Sequence, residues 1–106
     1  MSDLTKKHCV PCENGEGKLD ITKIKEYLPL IHDWMLIGDT IKRDFRFKNF
    51  KEAITFTNKV ADIAEEEGHH PDIYIFYNKV SLSLSTHAAN GLTENDFILA
   101  AKINAI

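Results

Sequence analysis

Over residues 80–85, three aliphatic side chains alternate with three serines, which is the most regular pattern in the chain. Successive side chains of a β-strand point to opposite faces of its sheet, so this pattern predicts a strand with one buried and one polar face. The preceding residues 73–77 are all aliphatic or aromatic, which favours a second strand. Asn78 and Lys79 are the predicted turn between the two strands. The chain is therefore expected to fold around a sheet with one covered face.

A second hairpin is predicted upstream, over residues 33–38 and 40–47. In the later of these segments, apolar side chains alternate with charged ones, which is strand periodicity. Gly38 and Asp39 indicate a tight turn between the two strands.

Helices are predicted over residues 20–31 and 50–67 and from Thr93 to the C-terminus, because apolar residues recur there at spacings of three and four. The predicted caps are Asp20, Asn49 and Thr93 at the N-termini and Gly68 at the end of the central helix. The order α-β-β-α-β-β-α predicts an α+β domain. Its sheet is expected to be four-stranded and mainly antiparallel, with the helices packed on one face.

The chain of 106 residues is expected to form one domain, over residues 20–106, after an irregular lead-in over residues 1–19. The net charge of −3 does not suggest direct nucleic-acid binding. No apolar run reaches the roughly 18–20 residues of a membrane span, and the first residues lack the apolar core of a signal peptide. The expected location is the cytoplasm, with the nucleus open to a protein of this size.

The lead-in contains Cys9 and Cys12 in a C-x-x-C spacing, with His8 beside them. A structural zinc site needs four ligands, and no second C-x-x-C exists in the chain. The βαβ context of a thioredoxin-type redox motif is also missing. These residues are therefore expected to be neither a metal site nor a redox site.

Three of the five histidines belong to one part of the chain. His69 and His70 precede Pro71, and His87 follows one hairpin later. A turn at residues 78–79 would place His70 opposite His87, with Cβ atoms about 4.5–5.5 Å apart. His69 would lie next to this pair, at the end of a helix. The sequence thus predicts that the three imidazoles converge.

Three converging imidazoles can form a general acid–base site, a metal site, or a cluster without chemical function. Histidine has an unperturbed pKa of about 6.5, so it can both donate and accept a proton near neutral pH. Metal binding fits less well, because neighbouring side chains on an extended strand point to opposite faces. No metal is predicted. Trp34 is expected in the core or in a pocket wall.

The histidines belong to a longer spaced motif of Glu65, His69, His70, Pro71, Tyr77, Ser85, Thr86, His87 and Asp96. Further likeness lies in Trp34, in residues 45–47 and 77–80, and in Gly91 and Leu92. Together these residues resemble the signature of the pterin-4a-carbinolamine dehydratases. The resemblance covers residues 20–106, and the segment from Cys9 to Cys12 is similar to the start of some shorter members.

The resemblance implies dehydration of 4a-hydroxytetrahydrobiopterin to quinonoid dihydrobiopterin, in recycling of tetrahydrobiopterin. It implies that His69, His70 and His87 form the acid–base and substrate-binding set. Glu65 and Asp96 are implied as supporting carboxylates. Trp34 is implied as a pocket residue that binds the substrate. No metal and no cofactor are implied.

The resemblance also implies partners and one difference. Members of the family form homodimers or homotetramers, and some act as dimerisation cofactors of a homeodomain transcription factor. The second reading of the chain is therefore a protein-interaction role, through exposed helix faces. Some animal members have a cysteine where this chain has Ala89, and this difference leaves the acid–base groups in place.

Overall fold

The elements of the fold follow the predicted order in the computed structural model, which describes residues 4–10 and 17–106. The helices are α1 (Ile21–Tyr27), α2 (Phe50–Glu67) and α3 (Glu94–Asn104), and the strands are β1 (Met35–Ile37), β2 (Thr40–Arg46), β3 (Asp72–Phe76) and β4 (Lys79–Leu84). Short 3₁₀ turns span Leu4–Lys6, Leu28–Leu30 and His87–Ala89. The prediction for Cys12 lies outside the described residues.

The four strands form one antiparallel sheet in the order β1-β2-β4-β3. Ile41, Val80, Leu82 and Leu84 share the covered face of the sheet and have no exposed surface. Buried side chains of α3, including Phe97, complete the core. The predicted α+β class and the four-stranded antiparallel sheet are confirmed.

The predicted caps lie where the helices begin and end. The side chains of Asp20 and Asn49 each accept a hydrogen bond from a backbone N–H three residues ahead, at 2.9 Å. Gly68 ends α2 with a φ of 65°, a conformation that glycine adopts without steric cost. The first helix is shorter than predicted, because Pro29 lacks the N–H that an α-helix needs and the chain tightens into a 3₁₀ turn.

The register of the second hairpin differs from the prediction. The two-residue loop is Tyr77-Asn78 rather than Asn78-Lys79, so Val80 faces Ile75 instead of Tyr77. Because the shift is two residues, every side chain keeps its predicted face. The ladder between β3 and β4 ends at the pair of Asp72 and Ser83, however, so His87 does not pair with His70 across the sheet as predicted.

None of the helices in the two described ranges is both long enough and apolar enough to cross a membrane.

Candidate active site

A cleft of about 320 Å³ opens where α2 and β4 end and α3 begins. All three predicted histidines line it: His69, His70 and His87. The first two arrive from the C-terminus of α2, where the left-handed Gly68 turns the chain away from the helix axis. The histidines therefore converge, but through helix and strand ends and not through the sheet ladder.

His69 is tied to a buried carboxylate. Its Nε2 lies 2.6 Å from Oδ1 of Asp96, whose side chain has no exposed surface, and the His69 side chain is itself only 13% exposed. The other carboxylate oxygen of Asp96 accepts from the Thr93 N–H at 2.9 Å and from the Thr86 hydroxyl at 2.8 Å. Asp96 thus caps α3 and fixes the His69 ring at the same time.

His70 has a similar partner in a more open setting. Its Nε2 lies 2.5 Å from Oε2 of Glu65, which is one turn of α2 before the cap. Both side chains are more than half exposed. Glu65 therefore orients His70 at the solvent side of the cleft.

His87 begins the 3₁₀ turn after β4, and its backbone carbonyl accepts from the Asn90 N–H at 3.1 Å. A bridge between Thr86 and Gly91 closes this turn. Within the described part of the chain, the His87 imidazole makes no hydrogen bond. His87 also lines a second, adjoining cleft of about 220 Å³ that includes Asp39. It therefore stands between two open spaces with both ring nitrogens available.

Trp34 lies elsewhere. Its indole Nε1–H donates to Oδ1 of Asn104 at 2.8 Å, and the side chain is buried. Asn104 lies eight residues after Asp96 on α3, about 12 Å along the helix axis. Among the described residues that line the two clefts, Trp34 does not occur. The structure supports the core position expected for Trp34, and its substrate-binding role stays a prediction.

Three residues of the cleft were not singled out from the sequence: Val10, Ala88 and Asn95. Val10 and Asn95 both line it, and Asn95 is buried at the start of α3. They are 85 residues apart in sequence, and neither belongs to a periodic pattern or to the motif. No signal in the single sequence would have joined them.

Carboxylates also hold the N-terminal segment, residues 4–10, against the helices. Burial raises the pKa of Glu67, but hydrogen bonds from the Cys9 N–H, His8 and Lys102 outweigh this effect and leave the pKa below its ordinary value.

Tyr27 of α1 is also bound to a carboxylate. Its hydrogen bond to Glu94, aided by burial, raises the pKa of Tyr27 to about 12.

Among residues 4–10 and 17–106, no group of three or more His, Cys, Asp or Glu side chains is arranged to hold a metal ion. The chemistry that the cleft offers is proton transfer. An imidazole whose Nε2–H is donated to a carboxylate keeps Nδ1 for exchange with a bound molecule. Two such rings face one space, together with the His87 ring, which makes no hydrogen bond to any side chain or backbone group of residues 4–10 and 17–106.

Comparison with known proteins places the chain in a family. The sequence model of the family described as "Pterin 4 alpha carbinolamine dehydratase" matches residues 17–106. A protein of Alkaliphilus metalliredigens named "Putative pterin-4-alpha-carbinolamine dehydratase" is 44% identical over 98% of this chain and 96% of its own length.

Two solved structures are similar to this fold. A transcriptional coactivator/pterin dehydratase from Brucella melitensis has a TM-score of 0.80 and 36% identity, over 84% of this chain and 97% of the other. A pterin dehydratase-like protein identified as a RuBisCO assembly factor in the alpha-carboxysome has a TM-score of 0.60 and 26% identity, over 72% and 90%. From sequence and structure together, the chain belongs to the pterin-4a-carbinolamine dehydratase family.

Proposed function

We propose that the protein dehydrates 4a-hydroxytetrahydrobiopterin to quinonoid dihydrobiopterin and water, in recycling of tetrahydrobiopterin. The observation that carries the proposal is the convergence of His69, His70 and His87 on one cleft, with a carboxylate on each of the first two. The cleft volume of about 320 Å³ is at the lower end of the range for small-molecule sites, which suits a bicyclic ring.

The reaction needs one acid and one base. The acid protonates the hydroxyl on C4a, and the C4a–O bond breaks to release water. The base takes the proton from N5, and the electron pair of the N5–H bond forms the C4a=N5 double bond. One proton is supplied and one is removed, so no oxidant or reductant takes part. A positioned acid or base typically contributes about 10²–10⁴-fold to such a step.

The arrangement of partners suits both roles. His69 is held in one orientation by the buried Asp96, and His70 is oriented by Glu65 at the open side of the cleft. The His87 imidazole makes no hydrogen bond to the described residues, so both of its ring nitrogens can contact the substrate. The acid and the base are therefore assigned to the three histidines together and not to single rings.

Stopped-flow dehydration of chemically prepared 4a-hydroxytetrahydropterin tests the proposal. We expect strong acceleration by the wild type, unaffected by EDTA, and a loss of about 10²-fold or more in His69→Ala and in His87→Ala. His32→Ala is the matched control, because His32 is similarly a histidine paired with a carboxylate, Asp33, but lies outside the cleft. The control should turn over like the wild type.

Absence of acceleration by folded wild-type protein would rule out the catalytic assignment. Equal losses in His32→Ala and His69→Ala would show that the assay reports stability and not chemistry.

A protein-interaction role is the second candidate function. It is favoured by the Brucella structure, which is described as both a coactivator and a dehydratase. This role would use exposed surfaces away from the cleft. If it holds, the variant that lacks all three cleft histidines keeps its partner binding while it loses turnover.

A further inference from the structure

Val10 stands in the cleft wall with an exposed side chain and a fixed backbone. The residue is 64% exposed. Its N–H donates to Oδ1 of Asn95 at 3.0 Å, and its carbonyl accepts from Nδ2 of Asn95 at 2.6 Å. One side-chain amide thus satisfies both backbone groups of Val10, as a neighbouring strand would. The position of Val10 is therefore set by the protein and not by burial of its own side chain.

A second anchor lies just before Val10. The Glu67 side chain, only 2% exposed, accepts from the Cys9 N–H at 2.8 Å and is 3.2 Å from Nζ of Lys102. Its other contact is Nδ1 of His8 at 3.0 Å. Charge-assisted hydrogen bonds of this kind are the stronger ones in proteins.

A third anchor lies at the start of the segment. Leu4 is 3% exposed and belongs to the hydrophobic core, and Lys7 pairs with Glu94 at 2.9 Å. The described part of the lead-in is therefore docked along its length. The three anchors together carry Val10 to the edge of the cleft.

Few aliphatic side chains line the cleft. Among the described residues that line it, Val10 and Ala88 are the only aliphatic ones. Small-molecule sites are lined mainly by apolar groups, with a few polar groups that fix orientation. A flat pterin ring presents two faces with poor capacity for hydrogen bonds. The exposed Val10 side chain offers an apolar surface against which a face of the pterin ring can pack.

We propose that Val10 contacts the bound pterin ring and sets its affinity, and that Asn95 and Glu67 are positioning residues that hold Val10 there. The inference rests on the proposed function, because it assigns Val10 to the same cleft and the same substrate class. It gives the N-terminal segment a part in substrate binding. The alternative is that the segment only stabilises the fold.

Val10→Ala is the first test, with Ile21→Ala as the matched control. Ile21 is also a largely exposed aliphatic residue, but on α1 and outside the cleft. Val10→Ala removes two methyl groups. A bound ligand would cover about half of the surface of these groups. We expect KM to rise about 4-fold with kcat little changed. Ile21→Ala should change neither. An unchanged KM in Val10→Ala would overturn the inference.

Asn95→Asp tests the positioning role. Aspartate has nearly the same size as asparagine and keeps an acceptor for the Val10 N–H, but it loses the donor to the Val10 carbonyl. We expect faster hydrogen exchange at the Val10 amide and a rise in KM at least as large as that of Val10→Ala. Faster hydrogen exchange at the Val10 amide with an unchanged KM would show that the N-terminal segment has only a structural role.

Direct contact is measured by NMR titration of the wild type with 7,8-dihydrobiopterin, a stable pterin. The methyl groups of Val10 should shift and show nuclear Overhauser effects to the ligand, and those of Ile21 should not. This readout separates the two proposals. Pterin binding at Val10 without turnover would contradict only the dehydratase assignment, and turnover without contact at Val10 would contradict only this inference.

Discussion

At the scale of single residues, Asp96 joins the stability of the fold to the chemistry of the cleft. It accepts hydrogen bonds from the Thr93 N–H and the Thr86 hydroxyl on one oxygen and from His69 on the other. A fully buried carboxylate is costly unless every lone pair facing the protein is used. Its three hydrogen bonds offset this cost and also select which nitrogen of His69 carries the proton.

Substitution of Asp96 by asparagine should affect both roles. If the amide nitrogen faces His69, Nε2 must accept a hydrogen bond, and the His69 tautomer is reversed. If it faces Thr86 or the Thr93 N–H instead, the polar cluster loses an acceptor. We expect Asp96→Asn to lower kcat by about 10²-fold and the free energy of unfolding by about 1–3 kcal/mol. Stopped-flow kinetics and urea unfolding measure the two effects.

Thr93→Val is the control that separates these roles. It removes the hydroxyl that lies 2.8 Å from Thr86 but leaves the pairing of Asp96 with His69 in place. We expect a loss of about 1 kcal/mol in the free energy of unfolding, with turnover retained. A 10²-fold loss of turnover in Thr93→Val would mean that the whole polar cluster, and not the tautomer of His69, governs activity.

The sequence predicted which residues belong to the site but not how they pair. The resemblance named His69, His70 and His87 together with Glu65 and Asp96, and the structure pairs each carboxylate with one histidine. It could not reveal the partner of each carboxylate, because that depends on where α3 crosses the end of α2. For the same reason, nothing in the sequence indicated that residue 10 meets residue 95.

At the scale of elements, the ends of the helices carry the site. Gly68 ends α2 and directs the two histidines, while the first turn of α3 supplies Asp96 and Asn95. The last turn of α2 also supplies Glu67, which receives the N-terminal segment. The C-terminal end of α2 thus connects the cleft histidines to the N-terminal segment.

The depressed pKa of Glu67 predicts how this docking depends on pH. A carboxyl whose pKa is lower in the folded state stabilises that state above the unfolded pKa, and the contribution is lost as pH falls through the folded pKa. Glu67→Gln removes the charge that faces Lys102 and His8. We expect the variant to be about 1–3 kcal/mol less stable than the wild type at pH 7.

The stability difference between the wild type and Glu67→Gln should shrink as the pH falls below about 4.5, the ordinary range of a glutamate. Urea unfolding of both proteins at neutral pH and at successively lower pH, through and below the ordinary pKa of a glutamate, measures it. The matched control is Glu66→Gln, an exposed neighbour on the same helix turn. A difference that is independent of pH would show that packing, and not charge, holds the segment.

The helices and strands were easier to predict from the sequence than the pairing of the strands. Local caps determine α2 almost completely, and both of its ends agree with the prediction. The hairpin loop did not follow its expected composition, because Tyr77 adopts a φ of 49° that is uncommon for a residue with a side chain. The sheet order and the partners of β2 and β4 outweigh that local cost, which is about 1–2 kcal/mol.

At the scale of the whole molecule, the sheet has two edge strands; both carry exposed apolar side chains, and β3 is the longer of the two. Strand β3 lies at an edge, and all of its residues are exposed. Tyr74, Phe76 and Tyr77 are each more than half exposed. An edge strand presents unpaired backbone groups, and large exposed apolar surfaces mark interaction sites. We propose that β3 is the contact between copies of this chain in a homodimer or homotetramer.

Sedimentation velocity of the wild type and of two double variants tests the role of β3. Tyr74→Lys with Phe76→Lys places two charges on β3, where they would be desolvated in an interface, so we expect a monomer. Met35→Lys with Ile37→Lys adds the same charge to β1, the opposite edge, whose two residues are also exposed, and should leave the oligomer intact. A monomeric wild type would refute self-association. Dissociation by the β1 variant alone would place the contact at the other edge of the sheet.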